Sequence, residues 1–319
     1  MVTSVRTSDS LAGIGGALTA GLSAYACTRR SEAHARQLPS FLVVGPPRTG
    51  TSWIHEVLRP RATLPAPTKE TRFFDVHFSR GLDWYLSHFP GASGDRLAGE
   101  VAPTYFASSR ARDRIAALLP HVKLVFVFRH PVHRLISLYR LKRAYGMFAW
   151  SLEEALERDP ELIASSRYAT HLRAWQGRFP AENISVNFFE ELSGNPQAFL
   201  AHLCDFLGMA RFELQPAQLK QVYSTGEMSE PRNYFATRAA TAMADWCKAR
   251  RLDHVVASAK ESRLFRWLIG GGPPFPEASA ETKGRISALL SREIEEMEII
   301  LERDLSHWKY PLREGRKGP

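Results

Sequence analysis

Residues 41–53 read FLVVGPPRTGTSW. An apolar, β-branched run ends at Gly45, a second glycine stands at Gly50, and Thr51 and Ser52 open a stretch with Ile54, Val57 and Leu58 at helical spacing. Strand, glycine-bounded loop and helix start in that order make the frame of a phosphate-binding loop, G-x-x-x-x-G-K-[ST]. The departure is Thr51, which occupies the place of the lysine. In such a loop successive backbone N–H groups and the amino end of the helix form a positive concavity for a phosphate. Arg48, inside the loop, can supply the cation that Thr51 does not. In a nucleoside triphosphatase the lysine reaches the β- and γ-phosphates while the Ser/Thr holds Mg²⁺, so its loss argues against triphosphate hydrolysis. The plain alternative is a glycine turn that merely joins strand to helix.

A second strand-turn-helix lies downstream. KLVFVFR (123–129) is followed by Pro131 and by HRLISLYRLKRAY, with Leu135, Leu138 and Tyr139 at helical intervals. Arg129 falls at the strand end, Arg134 one turn into the helix and Ser137 on the next turn. An arginine and a serine so placed can grip a second phosphate, and two phosphate sites on one sheet point to a bisphosphorylated nucleotide. GEVAPTYF (99–106) reads as a short strand and turn, Arg112–Leu119 as a crossover helix, 171–179 as a helix, SVNFFE (185–190) as a strand and Pro196–Leu207 as an amphipathic helix. Strands alternating with helices predict an α/β fold, a P-loop-type three-layer arrangement with a central parallel sheet and ligands beyond the carboxyl ends of its strands. From residue 210 the pattern is mostly helical, broken by IGGGPPFPE (269–277). A charged helix from Glu281 to Asp304, with Ile286, Leu289, Leu290, Ile294 and Met297, is expected to close against the sheet.

Composition sets wider bounds. A chain of 319 residues with 44% hydrophobic and 24% charged content can bury a large core and is not disordered. The net charge of +9 favours an anionic partner. Cys27, Cys204 and Cys247 lie far apart without a C-x-x-C pair, so neither a disulfide framework nor a zinc site is indicated, and a reducing, cytoplasmic setting is the simpler expectation. Residues 11–27, LAGIGGALTAGLSAYAC, form the one segment that could contact a membrane, but fall short of the roughly 20 apolar residues of a span. Residues 1–38 are read as a flexible leader, with a membrane anchor through 11–27 as the alternative; 39–312 form one domain and 313–319 a basic tail.

The residues then carry a likeness. The chain resembles the sulfotransferase family that uses 3′-phosphoadenosine-5′-phosphosulfate (PAPS). GPPRTGTSW resembles that family's 5′-phosphosulfate loop, in which the Walker lysine is normally absent, and FRHPVHRLISLY its 3′-phosphate motif, R-x-P-x-x-R-x-x-S-x-Y. KETRFFD (69–75) is similar to the K-E-x-x-F-F segment of the heparan sulfate and bacterial branches, and 167–208 to a stretch of the heparan N-sulfotransferase domain. The likeness runs from about residue 40 to DLSHWKYP near the end. It implies that Arg48, Thr49, Gly50, Thr51 and Ser52 hold the 5′-phosphosulfate, that Arg129 and Ser137 hold the 3′-phosphate, and that Trp53 stacks on adenine, unless Trp53 is a core residue. Glu70 matches the general base of the heparan branch. Arg48, loop amides and Lys69 would offset charge on the leaving phosphate, with no metal.

One departure concerns the acceptor. In the heparan 3-O branch a lysine follows the glutamate of the segment equivalent to GEVAPTYF, where this chain has Val101. For Glu70 the plain alternative is a surface acid paired with Lys69 and Arg72. His55, His77, His88, His121, His130 and His133 are read as surface or packing histidines, and Tyr168 and Arg232 as further contacts that could equally be core and solvated. The acceptor, a hydroxyl or amine of a glycan, lipid or small molecule, would meet loops at 75–99 and 225–280, with Trp84, Tyr85, Tyr234, Phe235, Phe265 and Trp267. Two rivals remain at this level: a nucleotide-dependent small-molecule kinase, and a non-catalytic module that binds anionic ligands through Arg129, Arg134 and carboxyl-terminal cations. Nucleic acid is not the expected partner.

Overall fold

The computed structural model describes residues 38–91, 96–221, 229–250 and 272–310. The leader through residue 37 with its stretch 11–27, the tail 313–319, Cys27, Phe265 and Trp267 lie outside the described residues. In chain order the principal elements are β1 (Phe41–Val43), α1 (Thr51–Leu58), β2 (Gly99–Val101), α2 (Ser109–Leu118), β3 (Lys123–Phe128), α3 (Pro131–Ala144), α4 (Tyr168–Gln176), β4 (Ile184–Phe188), α5 (Phe189–Gly194), α6 (Pro196–Leu207), α7 (Tyr234–Ala249) and α8 (Ala280–Leu301). The strands form one parallel sheet in the order β2-β1-β3-β4.

The period of two along β1 and β3 builds three layers. Leu42, Val44, Leu124, Phe126 and Phe128 join a cluster with Ala111, Ile115 and Leu118 of α2, Leu172 and Trp175 of α4, and Ile294 and Met297 of α8. Phe41, Val43, Val125 and Val127 join another with Ile54, Val57 and Leu58 of α1 and Phe199, Leu200 and Leu203 of α6. Strands buried on both faces read as unbroken apolar runs, which is why KLVFVF carries no polar alternation. Helix ends follow local chemistry. The Ser108 side chain accepts from Ala111 N, that of Asn195 accepts from Ala198 N ahead of Pro196, and Gly208 closes α6 at φ 76°.

Two expectations change. Leu289 is 55% exposed, so the apolar stripe of α8 runs through Ile286, Leu290, Ile294 and Met297 without it. The amino half of α8 packs on α3 and the helices Leu152–Arg158 and Pro160–Ala164 rather than on the sheet, and only its carboxyl half reaches the sheet-face cluster.

The chain leaves β1 for β2 on one side and returns across it to β3 on the other. The loops after β1 and β3 therefore flank a topological switch point, where an open α/β sheet presents a crevice. Gly45 serves this geometry: a Cβ there would stand 2.3 Å from Val127 N, so the first glycine of the motif lets the end of β1 approach β3. Among the described residues no helix is long and apolar enough to cross a membrane.

Candidate active site

The loop after β1 turns through Arg48 at φ 75° and Gly50 at φ 89°, both in the left-handed region, and delivers Gly50 as the residue before α1. A Cβ on Gly50 would lie 2.7 Å from Leu192 Cδ2 and 3.2 Å from Phe189 Cδ2, so α5 closes over the loop. The Thr49 hydroxyl donates to Pro46 O at 2.8 Å and its side chain is buried. Of the five loop residues proposed as phosphate contacts, Thr49 thus turns its side chain into the loop itself, while Arg48, Gly50, Thr51 and Ser52 line a cavity of about 250 Å³.

The second cationic turn meets the first. Arg48 Nε donates to Ser137 Oγ of α3 at 2.9 Å, and Arg129 Nη1 donates to Arg48 O at 3.4 Å. Arg129 also lies over the Phe189 ring, 4.5 Å from its centroid. Burial, and then the charge of Arg129, pull the Arg48 pKa below its ordinary value; burial likewise lowers that of Arg129, with Glu190 opposing. Two guanidinium groups held close in a half-buried crevice are a configuration that an anion relieves.

The third contribution comes from the segment ahead of β2. Lys69 and Glu70 line the same cavity, Lys69 Nζ donates to Ser52 Oγ at 3.1 Å, and Lys69 Nζ stands 3.5 Å from Glu70 Oε1. Burial raises the Glu70 pKa, opposed by Lys69 and Arg72, and burial lowers that of Lys69, opposed by Glu70. Burial thus disfavours the charged form of both the carboxyl and the amine, while each favours the charge of the other.

Other residues separate. Trp53 is only 4% exposed. It sits in the α1–α6 core against Phe199, donates Nε1 to Gln218 O at 2.8 Å, and touches the cavity only at its wall. Arg134 is 0% exposed and donates to Leu162 O at 3.2 Å, Ser165 Oγ at 3.2 Å and Ser166 Oγ, so it ties α3 to the end of the helix Pro160–Ala164. It is not a surface cation, which removes it from the non-catalytic alternative. Tyr168 is core, its hydroxyl donating to Arg129 O at 3.0 Å, and Arg232 is exposed just before α7. Tyr85 is fully buried and so is no acceptor wall. Among the described residues no histidine lines the cavity; His55, His88 and His130 are buried, and burial with His133 pushes His130 down to about 3. Among the described residues no three His, Cys, Asp or Glu side chains group as a metal site.

Sequence reasoning missed Pro47, Pro103, Leu141, Phe189 and Leu192 in the cavity wall. It also missed Glu100, whose signal was available: a lone acid in the middle of a strand that is otherwise core. Its carboxylate is 0% exposed and burial pushes it up to about 7, against hydrogen bonds from Thr71 and Tyr85.

A family profile described as a sulfotransferase domain matches residues 38–250. Bifunctional heparan sulfate N-deacetylase/N-sulfotransferase 2 of Bos taurus is 34% identical over 200 residues, covering 55% of this chain and 22% of that protein. Heparan sulfate glucosamine 3-O-sulfotransferase 3B1 of Mus musculus is 32% identical over 190 residues, covering 57% of this chain and 49% of that one. The chain thus spans about half, or less, of the length of these relatives. A solved sulfotransferase from Alicyclobacillus acidocaldarius superposes with a TM-score of 0.57 at 20% identity, over 85% of this chain and 98% of that one, and shares the fold.

Proposed function

The chain belongs to the sulfotransferase family, and on that premise we propose that it transfers a sulfuryl group from PAPS to a hydroxyl or amine acceptor, with Glu70 as general base. One observation carries the reading: the loop after β1, the turn after β3 and the Lys69–Glu70 pair open on a single cavity. The cavity suits the co-substrate on chemical grounds, since two cationic turns stand side by side at the mouth of the sheet for the two phosphate ends of one adenylate. Arg48, the amides of Gly50 to Ser52 and the Thr51 and Ser52 hydroxyls would hold the 5′-phosphosulfate, and Arg129 with Ser137 the 3′-phosphate. PAPS supplies an activated sulfuryl group.

Glu70 takes the proton of the acceptor as its oxygen or nitrogen bonds to sulfur, and the bond from sulfur to the 5′-phosphate oxygen breaks with its electron pair going to adenosine 3′,5′-bisphosphate. Arg48 and Lys69 offset the charge that gathers on that oxygen. The raised Glu70 pKa serves this role, because a base closer to neutral pH accepts a proton more readily in the transition state. The acceptor class is a glycan, lipid or small molecule. Val101 is buried in the core, so the position after Glu100 offers no cation to a 3-O-type glycan acceptor.

The test is twofold. Adenosine 3′,5′-bisphosphate at about 100 times its Kd should stabilise the fold by about 2.7 kcal/mol, with ATP-Mg²⁺ giving no comparable shift. Radiolabelled PAPS screened against glycans, phenols and lipids should yield a sulfated product that Glu70→Gln abolishes while nucleotide affinity stays. Near-normal turnover in Glu70→Gln would show that the base is another group.

A further inference from the structure

Glu70 does not hold its own position. Its neighbour Thr71 is gripped by a side chain 29 residues away: Glu100 Oε1 accepts from Thr71 N at 2.7 Å and from Thr71 Oγ1 at 2.7 Å. Glu100 Oε2 accepts from Tyr85 OH at 2.9 Å, and Tyr105 OH stands 3.4 and 3.3 Å from the two oxygens. The two phenols are themselves fixed by aromatic packing, Tyr85 stacked on Phe73 at 4.5 Å and Tyr105 edge-on to Phe74 at 5.6 Å. On the chain's other side of Thr71, Phe73 N donates back to Thr71 Oγ1 at 3.1 Å across Arg72, whose φ of 53° is left-handed. A non-glycine residue in that region costs of order 1–3 kcal/mol and persists where its surroundings over-determine it.

A carboxylate in this aromatic layer is costly, and an apolar side chain of similar volume would often be as stable or more so. What the carboxylate provides is directional: it is the one side-chain type that can accept all of these donors, and charge-assisted bonds to fixed donors set a position more tightly than apolar contact does. The segment is thereby pinned at two points. Lys69 is tied to the first turn of α1 through Ser52, and Thr71 to β2 through Glu100, with Glu70 between them.

We infer that Glu100 is a positioning residue for Glu70, holding the backbone at Thr71 so that the Glu70 carboxylate stands in the cavity beside Lys69. The inference rests on the reading of Glu70 as the base. Glu100 touches neither the cavity nor the reacting atoms. Its effect is transmitted through one peptide unit, and misplacement of a reacting group by about 1 Å can lower a rate on the order of a hundredfold.

The experiment compares Glu100→Ala, Glu100→Gln and the milder Thr71→Val with the unaltered chain, using carbon-13 glutamate NMR to follow the Glu70 carboxyl, assigned by its loss in Glu70→Gln. Release of sulfate from radiolabelled PAPS, with water as the probe acceptor, gives the rate. In Glu100→Ala the Glu70 titration should move toward the ordinary carboxylate range and kcat should fall about tenfold to a hundredfold, with the Kd of adenosine 3′,5′-bisphosphate unchanged. Thr71→Val, which removes the hydroxyl bond to Glu100 and the acceptor of Phe73 N but keeps the bond from Thr71 N, should shift both in the same direction by less. Glu100→Gln, whose amide oxygen can still accept from Thr71 but which loses the charge and the second acceptor, should restore both in part. An unmoved Glu70 titration in Glu100→Ala, or in Thr71→Val should the alanine variant not fold, overturns the inference. If the titration moves but Glu70→Gln releases sulfate at the unaltered rate, the positioning stands and the assignment of the base fails.

Discussion

Gly50→Ala isolates the link between the loop's backbone and its cationic turn. The cost has two parts. At φ 89° an alanine sits in the left-handed region, which disfavours an L side chain by about 1–2 kcal/mol. Its Cβ would also lie 2.7 Å from Leu192 Cδ2 and 3.2 Å from Phe189 Cδ2. Overpacking of this kind costs about 1–3 kcal/mol, and since the nearest atom is the tip of a leucine that can give way, the lower half of that range applies. The sum is about 2–4 kcal/mol, or a fall in Tm of roughly 4–16 °C at about 2–4 °C per kcal/mol. Gly91→Ala supplies the control, because φ there is 73° but nothing lies within 4 Å of the added Cβ, so only the backbone part remains. Because Phe189 is the ring beneath Arg129, Gly50→Ala should also weaken adenosine 3′,5′-bisphosphate binding, whereas Gly91→Ala should leave it alone. Differential scanning calorimetry gives the stabilities and titration calorimetry the Kd. Equal Tm losses in the two variants, with equal Kd, would refute the steric contact and the coupling drawn from it.

Two further outcomes are expected. Arg129→Gln should raise the Kd of adenosine 3′,5′-bisphosphate about tenfold to a hundredfold, the worth of about 1.5–3 kcal/mol for hydrogen bonds from a charged donor, and should flatten its salt dependence, while Arg134→Met leaves the Kd unchanged because that guanidinium is sealed away from the cavity; titration calorimetry across salt concentrations reads both. For pH, the folded Glu100 carboxyl, at about 7, lies above the unfolded value near 4.3, so its contribution to stability is fully present below that unfolded value and is lost as pH rises through about 7. The unaltered protein should therefore lose on the order of 3 kcal/mol from this group between about pH 4 and pH 8, and denaturant melts of Glu100→Gln should lack that part of the slope.

Much of the fold was legible from local pattern. Helix Pro196–Leu207 begins and ends where its Asn-Pro start and glycine stop place it, and β1 and β3 lie within their unbroken apolar runs, because capping and burial on both faces of a parallel strand leave marks within a few residues. The segment 69–77 left no such mark. Its π-turn at Phe73–His77 follows Thr71, which Glu100 clamps from 29 residues away, and packs on aromatic rings at 85 and 105.

By itself the sequence determined the strand-loop-helix order, the parallel α/β class, the two cationic turns and the family likeness, since each is written in contiguous residues whose spacing is set by backbone geometry. Tertiary structure alone decided which of those residues share a space. Arg129 and Arg134 stand on one short stretch, yet the first opens on the cavity and the second is sealed beneath Ser165 and Ser166. Glu70 and Glu100 are alike as letters, but one lines the cavity and the other is fully buried away from its wall. The reason is that exposure, partners and pKa belong to the packing of segments some 30 to 90 residues apart, as the bonds from Thr71 to Glu100 and from Arg48 to Ser137 do, and no local period encodes that.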